Sequence, residues 1–443
     1  MESENRQRTF FLKTYGCQMN SRDSENTAAI MLGSGFLTAP SIEAADIVIF
    51  NTCCVRESAE DRFFGHLSRM KPLKEKKPEL TVVVTGCMSQ QEEVKMSIEK
   101  KHPYVDIVIG TGNRHMLPVF LHEVINQGKK IFDTSGLDEM PPDSAYSQTV
   151  RDFPHKAGIN IMYGCDNFCS YCIVPYVRGR ERSRAQRDIV EEVQNLVSDG
   201  VREIMLLGQN VNSYGKGQGG SFADLLYELS KIMGTGRIRF MTSHPRDFSP
   251  ELILALRDLP MVCKHIHLPL QAGSTKVLKD MNRGYTKEEY LELVSKIKSQ
   301  IPSVAITTDI IVGYPGETDL DFCDTLDVVK KAEFAGAFTF IYSKRSGTPA
   351  AGRNDTVPPG VVSKRFKELT DTLYPIMAGF NQKKVGGVFD CMAEEIHGDS
   401  IKGRLDDHSL VHFTSACTIN PGDIVPVKIT GAKTFYLIGA YNG

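Results

Sequence analysis

The sequence predicts an α/β protein in three parts: an open parallel α/β domain at 1–132, a partial (β/α)6 barrel at 153–384 and a small antiparallel β-barrel at 385–443. Three observations carry this. Short β-branched runs alternate with helical stretches as far as residue 342, the alternation breaks once at a Pro- and Ser-rich tract, and residues 385–443 switch to short strands with Gly and Asp turns. A length of 443 residues also suits three domains, at about 150 residues each.

The first domain offers strands at 9–15 (TFFLKTY), 46–51 (DIVIFN), 80–85 (LTVVVT) and 105–110 (VDIVIG), and helices at 21–33, 57–70, 90–101 and 114–126. Strands that are apolar throughout, separated by helices, imply a parallel sheet covered on both faces. Residues 133–152, rich in Asp, Ser and Pro and without periodicity, read as a linker. Six further strands follow at 159–163, 203–207, 237–242, 264–268, 304–312 and 337–342, with helices at 186–199, 221–233, 286–299 and 318–332. Six βα units fall short of a closed eightfold barrel, so an open, partial barrel is expected. After a helical stretch at 361–384 come five short strands at 386–396, 400–405, 409–413, 424–430 and 433–440, with turns at Gly398-Asp399, Asp406-Asp407, Pro421-Gly422-Asp423 and Gly431. That spacing fits a barrel of the OB type.

With 41% hydrophobic residues and a net charge of −2, the chain is not of the disordered class. The same balance removes generic electrostatic attraction to nucleic acid, so any such surface must be local. The opening Met1-Glu2-Ser3-Glu4-Asn5-Arg6 lacks the apolar core of a signal peptide and no run approaches a membrane span, which predicts a cytoplasmic protein with no membrane partner. The 11 cysteines then need a reason. A reducing compartment disfavours structural disulfides, and clustered thiols there point to metal or redox chemistry.

Cys165, Cys169 and Cys172 lie on one loop, spaced C-x3-C-x2-C, directly after the first barrel strand. Zinc ribbons use paired C-x2-C knuckles, so a lone triplet is a poor structural zinc site. Three thiolates can instead hold a four-iron cluster and leave one iron open, whereas an electron carrier uses four cysteines. Chance core thiols would not explain a place at the carboxyl edge of the first βα unit, where barrel active sites lie. A second set is spread out: Cys17, Cys53 and Cys87 each follow one of the first three strands. In an open parallel sheet those strand ends line a common crevice, so a second three-thiolate cluster is expected, although any one of these thiols alone reads equally well as a buried small hydrophobe. Cys54 is an alternative ligand to Cys53; residues adjacent on a strand point to opposite faces, so only one of the two should face the crevice. Cys263, Cys323, Cys391 and Cys417 have no partner spacing and read as core or surface residues.

Gly208-Gln209-Asn210 and the 313–318 segment (GYPGET) follow barrel strands two and five at the ligand-binding end, and read either as ligand contacts or as turns opening helices. Residues 215–220 satisfy G-x-G-x-x-G but sit too far beyond their strand for a dinucleotide fingerprint, and no phosphate loop is present. The basic run at 178–187, with Arg178, Arg180, Arg182, Arg184 and Arg187, reads as a guide for a polyanion or as a solvated charged face. The final barrel has four Lys/Arg against seven Asp/Glu, so it would have to bind RNA by shape and particular contacts. His265 and His267 alternate on strand four and share a face. No general acid/base pair stands out.

Taken together, these motifs resemble the radical S-adenosylmethionine methylthiotransferase family. The cysteine triplet with Tyr171 is similar to the superfamily signature, and 15–20 (YGCQMN), 51–57 (NTCCVRE) and 85–87 (TGC) to the motifs carrying the auxiliary cluster. Further matches are 178–184 (RGRERSR), 206–214 (LLGQNVNSY), 268–274 (LPLQAGS), 281–286 (MNRGYT) and 342–351 (YSKRSGTPAA), so the resemblance spans essentially the whole chain. It departs at Cys54, where the family usually has a small residue other than cysteine.

The resemblance implies an N-terminal methylthiotransferase domain, a radical core and a C-terminal TRAM-type barrel. It implies two 4Fe-4S clusters: one on Cys165, Cys169 and Cys172 that binds S-adenosylmethionine, and an auxiliary one on Cys17, Cys53 and Cys87 that supplies sulfur. Tyr171, Gln209 and Asn210 would lie at the cofactor. The opening motif and the LLGQNVNSY and MNRGYT runs are most similar to members that methylthiolate C2 of N6-isopentenyladenosine at position 37 of tRNA. The implied partners are that tRNA, an external electron donor and an iron–sulfur cluster carrier. Relatives acting on threonylcarbamoyladenosine in tRNA or on a ribosomal-protein aspartate share the cysteines. From another class, a non-catalytic iron–sulfur redox sensor would require four-thiolate ligation.

Overall fold

Six parallel strands make the first sheet, in the order Leu37–Thr38, Thr9–Thr14, Ile47–Thr52, Thr81–Gly86, Ile107–Ile109 and Ile131–Asp133. The four expected strands are present. The two added edge strands are two and three residues long, too short to show a period in sequence. In the buried centre, Val48, Phe50, Val82 and Val84 enter one apolar cluster with Phe63, Leu67 and Ile98, while Ile47, Ile49 and Val83 enter another with Met31, Leu117 and Leu121. That alternation is the period of two expected when helices cover both faces. The helices Gln18–Gly33 and Leu117–Gln127 therefore cover one face, and Glu57–Ser68 and Glu92–Lys101 the other.

The computed structural model describes residues 7–54, 57–137, 139, 151, 153–234 and 236–443. Most of the expected linker at 133–152 lies outside the described residues, and Asp133 ends the last strand of the first sheet. The chain forms two compact units, one of Met1–Asp152, Tyr163–Asp166 and Ile173–Arg182, the other of Phe153–Met162, Asn167–Cys172 and Ser183–Gly443.

In the second unit six strands form two parallel three-stranded sheets, Arg237–Phe240 / Glu203–Leu207 / Lys156–Asn160 and His265–His267 / Ala305–Val312 / Gly336–Ile341; the first lies three residues earlier than the expected 159–163, and the other five overlap the expected runs. A bridge between Ile238 and Val262 joins them. Strand Gly336–Ile341 is an open edge, as six rather than eight units require. Helices Phe222–Met233, Lys287–Gln300 and Asp319–Ala332 start at capping boxes, Ser221/Asp224, Thr286/Glu289 and Thr318/Asp321, which satisfy the first free N–H groups. Helices Pro250–Asp258 and Thr275–Asp280, not expected from periodicity, begin at capping Ser249 and Ser274. His265 Nε2 and His267 Nδ1 share the Thr307 hydroxyl, each at 3.0 Å, so this pair is a satisfied structural one.

The last five strands close a barrel in the order Val388–His397, Ser400–Leu405, Leu410–Thr414, Leu437–Tyr441 and Ile424–Ala432. Four pairings are antiparallel, and Leu410–Thr414 runs parallel to Leu437–Tyr441. This barrel is fastened to the amino ends of the larger barrel's strands. Arg239 pairs with Glu203 at 2.7 Å and donates to the carbonyls of Leu405 and Asp406 at 2.8 and 2.9 Å, Arg237 donates to those of Asp390 and Arg404, and the His408 ring stacks on His265 at 4.8 Å. Among the described residues no helix is long and apolar enough to cross a membrane.

Candidate functional site

Cys17, Cys53 and Cys87 leave three neighbouring strands of the first sheet, and the ladder continues past the strands: Tyr15 N–H donates to Asn51 O at 2.9 Å and Cys87 N–H to Thr52 O at 3.0 Å. Two glycines make the approach possible. A Cβ on Gly16 (φ +106°) would fall 2.1 Å from Cys53 Cβ, and one on Gly86 (φ +107°) 2.3 Å from Thr52 O. Only glycine fits where the backbone is both left-handed and crowded. The thiols pair as hydrogen-bonded couples, Cys17 with Cys53 and Cys54 with Cys87. Cys54 therefore faces the same site as Cys53, contrary to the alternation expected of a strand. The strand ends at Thr52, so the pleat no longer dictates where the next two side chains point.

Electrostatics at this site favour thiolate. The hydrogen bond with Cys53, helped by the Arg178 guanidinium and opposed by burial, brings the Cys17 thiol down to about 6. The bond from Cys54, again with Arg178 nearby, lowers Cys87, while the donor Cys54 is raised. Arg178 is 5% exposed; its Nε lies 3.1 Å from Cys87 Sγ and its Nη2 2.9 Å from Asn20 Oδ1 and 2.8 Å from Asp23 Oδ2. Arg114 contacts the same Asp23 oxygen at 2.8 Å.

Two buried guanidiniums thus share one carboxylate, leaving one positive charge in excess. A buried charge needs a partner. A cluster with a doubly positive core on three thiolates carries one net negative charge, so the residues present fit such a group. Among the described residues no three His, Cys, Asp or Glu side chains converge as for a single metal ion. A four-iron cluster instead takes its thiolates at separate iron corners.

The basic run at 178–187 is not one surface. Arg178 and Arg184 are 5% and 6% exposed, and Arg184 Nη1 pairs with Glu192 at 2.7 Å. Arg182 donates to Leu137 O and Arg178 O. Arg180 and Arg187 are the exposed members, beside Asp166 and Asp188. The inward turn of Arg178 is hidden in the sequence because its carboxylate partner, Asp23, lies 155 residues away.

Of the triplet, Cys165 belongs to the first unit and Cys169 and Cys172 to the second. Cys165 N–H donates to Gly179 O at 3.2 Å, and Cys172 N–H to Cys169 O at 2.9 Å. Segment 167–172 is lashed to its own unit: Asn282 Nδ2 donates to the carbonyls of Asn167 and Phe168, and the Ser170 hydroxyl donates to Asp280 O at 2.7 Å. These bonds hold Phe168 at φ +44°, a conformation that costs about 1–3 kcal/mol without such support. Arg283, 5% exposed, donates to Cys169 Sγ at 3.3 Å, to Pro269 O and to Tyr285 Oη, and has no carboxylate partner among the described residues. Sequence reasoning singled out neither Arg178 nor Arg283 as a partner of a cysteine sulfur, although both lie within the quoted RGRERSR and MNRGYT matches.

Tyr171 is half-buried against the barrel core, and burial pushes its hydroxyl well up despite the nearby Arg283. Gln209 is half-buried at the end of strand Glu203–Leu207. Asn210 has its amide engaged internally, donating to Asp247 Oδ2 at 2.7 Å and accepting from His244 N–H at 3.1 Å. It thereby positions His244, which sequence reasoning did not single out. His244 Nε2 and the Ser243 hydroxyl are buried polar atoms without a hydrogen-bond partner among the described residues, at the carboxyl end of strand Arg237–Phe240. Burial, with Arg283 and Arg246 nearby, brings His244 down to about 2, so it stands neutral. Orphaned polar groups at this end of the barrel fit a polar cofactor such as S-adenosylmethionine.

Comparison with known proteins adds an independent line. Residues 159–329 match the family described as Radical SAM superfamily, and residues 9–110 match Uncharacterized protein family UPF0004. The chain is 47% identical over 440 residues to a tRNA-2-methylthio-N(6)-dimethylallyladenosine synthase of Acetivibrio thermocellus, covering 98% of this chain and 91% of the relative. With the protein of the same name from Clostridium novyi it shares 48% over 440 residues, covering 97% and 96%. Among solved structures it is similar to the radical S-adenosylmethionine methyltransferase TsrM of Kitasatospora setae with cobalamin and a 4Fe-4S cluster bound. The TM-score is 0.56 at 15% identity, covering 78% of this chain and 77% of that one, a likeness that bears on the fold alone.

Proposed function

The chain belongs to the family of tRNA-2-methylthio-N(6)-dimethylallyladenosine synthases, and we propose that it carries out this reaction with two cysteine-held 4Fe-4S clusters at separate sites. It is a radical S-adenosylmethionine tRNA methylthiotransferase that acts at C2 of N6-isopentenyladenosine at position 37. The observation that carries the two-cluster reading is the placement of Cys17, Cys53 and Cys87 just past three adjacent strand ends, beside two buried guanidiniums that share one carboxylate. A redox sensor with four-thiolate ligation would need neither S-adenosylmethionine nor tRNA, and near full-length identity to the synthases disfavours it. The threonylcarbamoyladenosine and ribosomal-protein readings are disfavoured on the same ground.

When bound, S-adenosylmethionine and the clusters supply the radical that removes the C2 hydrogen and the sulfur and methyl group that replace it. The protein's part is to hold and to exclude. Cys165, Cys169 and Cys172 would hold the cluster that binds S-adenosylmethionine, with Arg283 neutralising part of its charge. Tyr171 and Gln209 would line the cofactor, and Asn210, bonded to Asp247 Oδ2 and to His244 N–H, would orient those two residues toward it. Cys17, Cys53 and Cys87 would hold the sulfur-supplying cluster. The target base must leave the anticodon-loop stack, which costs a few kcal/mol and less in a loop than in a duplex. Exposed Arg180 and Arg187, together with the C-terminal barrel, would steady the RNA. An external donor would supply electrons and a cluster carrier the iron and sulfur, in the cytoplasm.

The test replaces Cys17, Cys53 or Cys87 by alanine and measures both products. Loss of 2-methylthio nucleoside with continued release of 5′-deoxyadenosine is expected. Continued methylthiolation in any of the three would refute the sulfur-supplying role.

A further inference from the structure

Both cysteine sets carry a buried guanidinium on one thiol, but among the described residues only Arg178 is also held by a carboxylate. Arg178 Nε is 3.1 Å from Cys87 Sγ, and its Nη2 is held by Asn20 Oδ1 and Asp23 Oδ2 at 2.9 and 2.8 Å. Asn20 donates to the carbonyls of Tyr15 and Thr52, beside Cys17 and Cys53, at 2.9 and 2.8 Å. One residue further along the chain, Gly179 O accepts from Cys165 N–H. The guanidinium is therefore fixed by contacts that also shape all three cysteine turns of the first sheet.

We propose that Arg178 is the positioning residue of the auxiliary cluster: its N–H···S bond to Cys87 and its excess charge raise the cluster's reduction potential. The proposal rests on the two-cluster reading above. Reduction adds negative charge at the cluster, and a fixed cation in a low-dielectric pocket stabilises the reduced form more than the oxidised one. Hydrogen bonds to the sulfurs act in the same direction. Arginine suits the role because one fork must reach a sulfur, an amide oxygen and a carboxylate at once, which an ammonium does not do with fixed geometry.

The experiment uses the full chain with Cys165, Cys169 and Cys172 replaced by alanine, so that any cluster present is the auxiliary one. This parent and its R178K and R178Q derivatives are reconstituted with iron and sulfide, assayed for iron, and poised at fixed potentials while the reduced fraction is read by electron paramagnetic resonance. The expected result for R178Q is at least a tenfold lower reduced-to-oxidised ratio at the parent's midpoint, with R178K in between. R178Q that holds iron at the parent's level and shows the parent's ratio overturns the proposal. If R178Q holds no iron, R178K decides: a lowered ratio supports the proposal and an unchanged one overturns it. A parent that binds no iron removes the two-cluster reading, and this inference with it, whereas a normal parent with an unshifted R178Q removes the inference alone.

Discussion

Replacing Gly16 by alanine tests the path from backbone to sulfur chemistry in one step. The new Cβ would lie 2.1 Å from Cys53 Cβ and 2.5 Å from its Sγ, against about 3.5 Å for an ordinary carbon contact. Cys53 would have to retreat by more than ~1 Å. A φ of +106° adds backbone strain, of about 1–2 kcal/mol for an L-residue, and overpacking adds about 1–3 kcal/mol. The sum, about 2–5 kcal/mol, is less than the 5–15 kcal/mol of a typical domain. The protein should therefore fold with one cluster thiol displaced. A misplacement of this size can cost about 100-fold in rate, so methylthiolation should fall by at least that factor while 5′-deoxyadenosine release stays within about twofold. The assay is chromatographic quantitation of both products with iron content measured alongside. Gly33→Ala is the control, at the end of helix Gln18–Gly33 with nothing within 4 Å of the new Cβ, and should be neutral or stabilising by up to about 1 kcal/mol. A Gly16→Ala enzyme with full iron and full methylthiolation would refute the crowding argument and the placement of Cys53 as a ligand.

Cys54→Ala should keep the auxiliary cluster and the methylthio product whereas Cys53→Ala loses both, as read by iron content and nucleoside mass spectrometry; the reverse order would move the ligand to Cys54. Burial opposes the Asp23 charge, but the Arg114 and Arg178 guanidiniums outweigh it and hold the carboxyl below its ordinary range. Its folded value being depressed, its contribution is complete above the unfolded value, near pH 4, and is lost as pH falls through the folded value. Asp23→Asn should thus destabilise by about 3–5 kcal/mol at pH 7 through two uncompensated cations, with a smaller difference from wild type in acid, followed by urea unfolding. Arg239→Met should destabilise by less, because buried Glu203 loses its 2.7 Å partner but keeps Lys156 at 3.5 Å; deleting 385–443 removes the carbonyl oxygens that hold Arg237 and Arg239 and should lower the melting temperature of the remainder. Replacing both Arg180 and Arg187 by alanine should weaken tRNA binding and flatten its salt dependence by up to about one log unit per lost phosphate contact, and an unchanged slope would exclude them from the RNA surface.

What could be read from the sequence was whatever repeats at short range. The strands through Thr81–Gly86 and the capping boxes at Ser221, Thr286 and Thr318 are written in periods and in spacings of three residues. The placement of Cys17, Cys53 and Cys87 at neighbouring strand ends was legible because parallel topology sets consecutive strand ends side by side, so spacing along the chain becomes proximity in space. Arg178 was not, since its partners Cys87, Asn20 and Asp23 lie 91, 158 and 155 residues away, and a run of arginines carries no mark of which members turn inward. The same limit hid His244, whose significance lies in an unfilled hydrogen bond and not in its neighbours in sequence. The C-terminal barrel makes the point from the other side. Its strands were evident, but its docking depends on Arg237 and Arg239 finding carbonyl oxygens more than 150 residues later. Fastened at the amino ends of the strands, the barrel stands at the opposite end of its unit from segment 167–172, so any RNA it holds must reach the cysteine loop from there. A near-neutral chain would then have to align such an RNA by shape over that span, since long-range attraction cannot do the aligning.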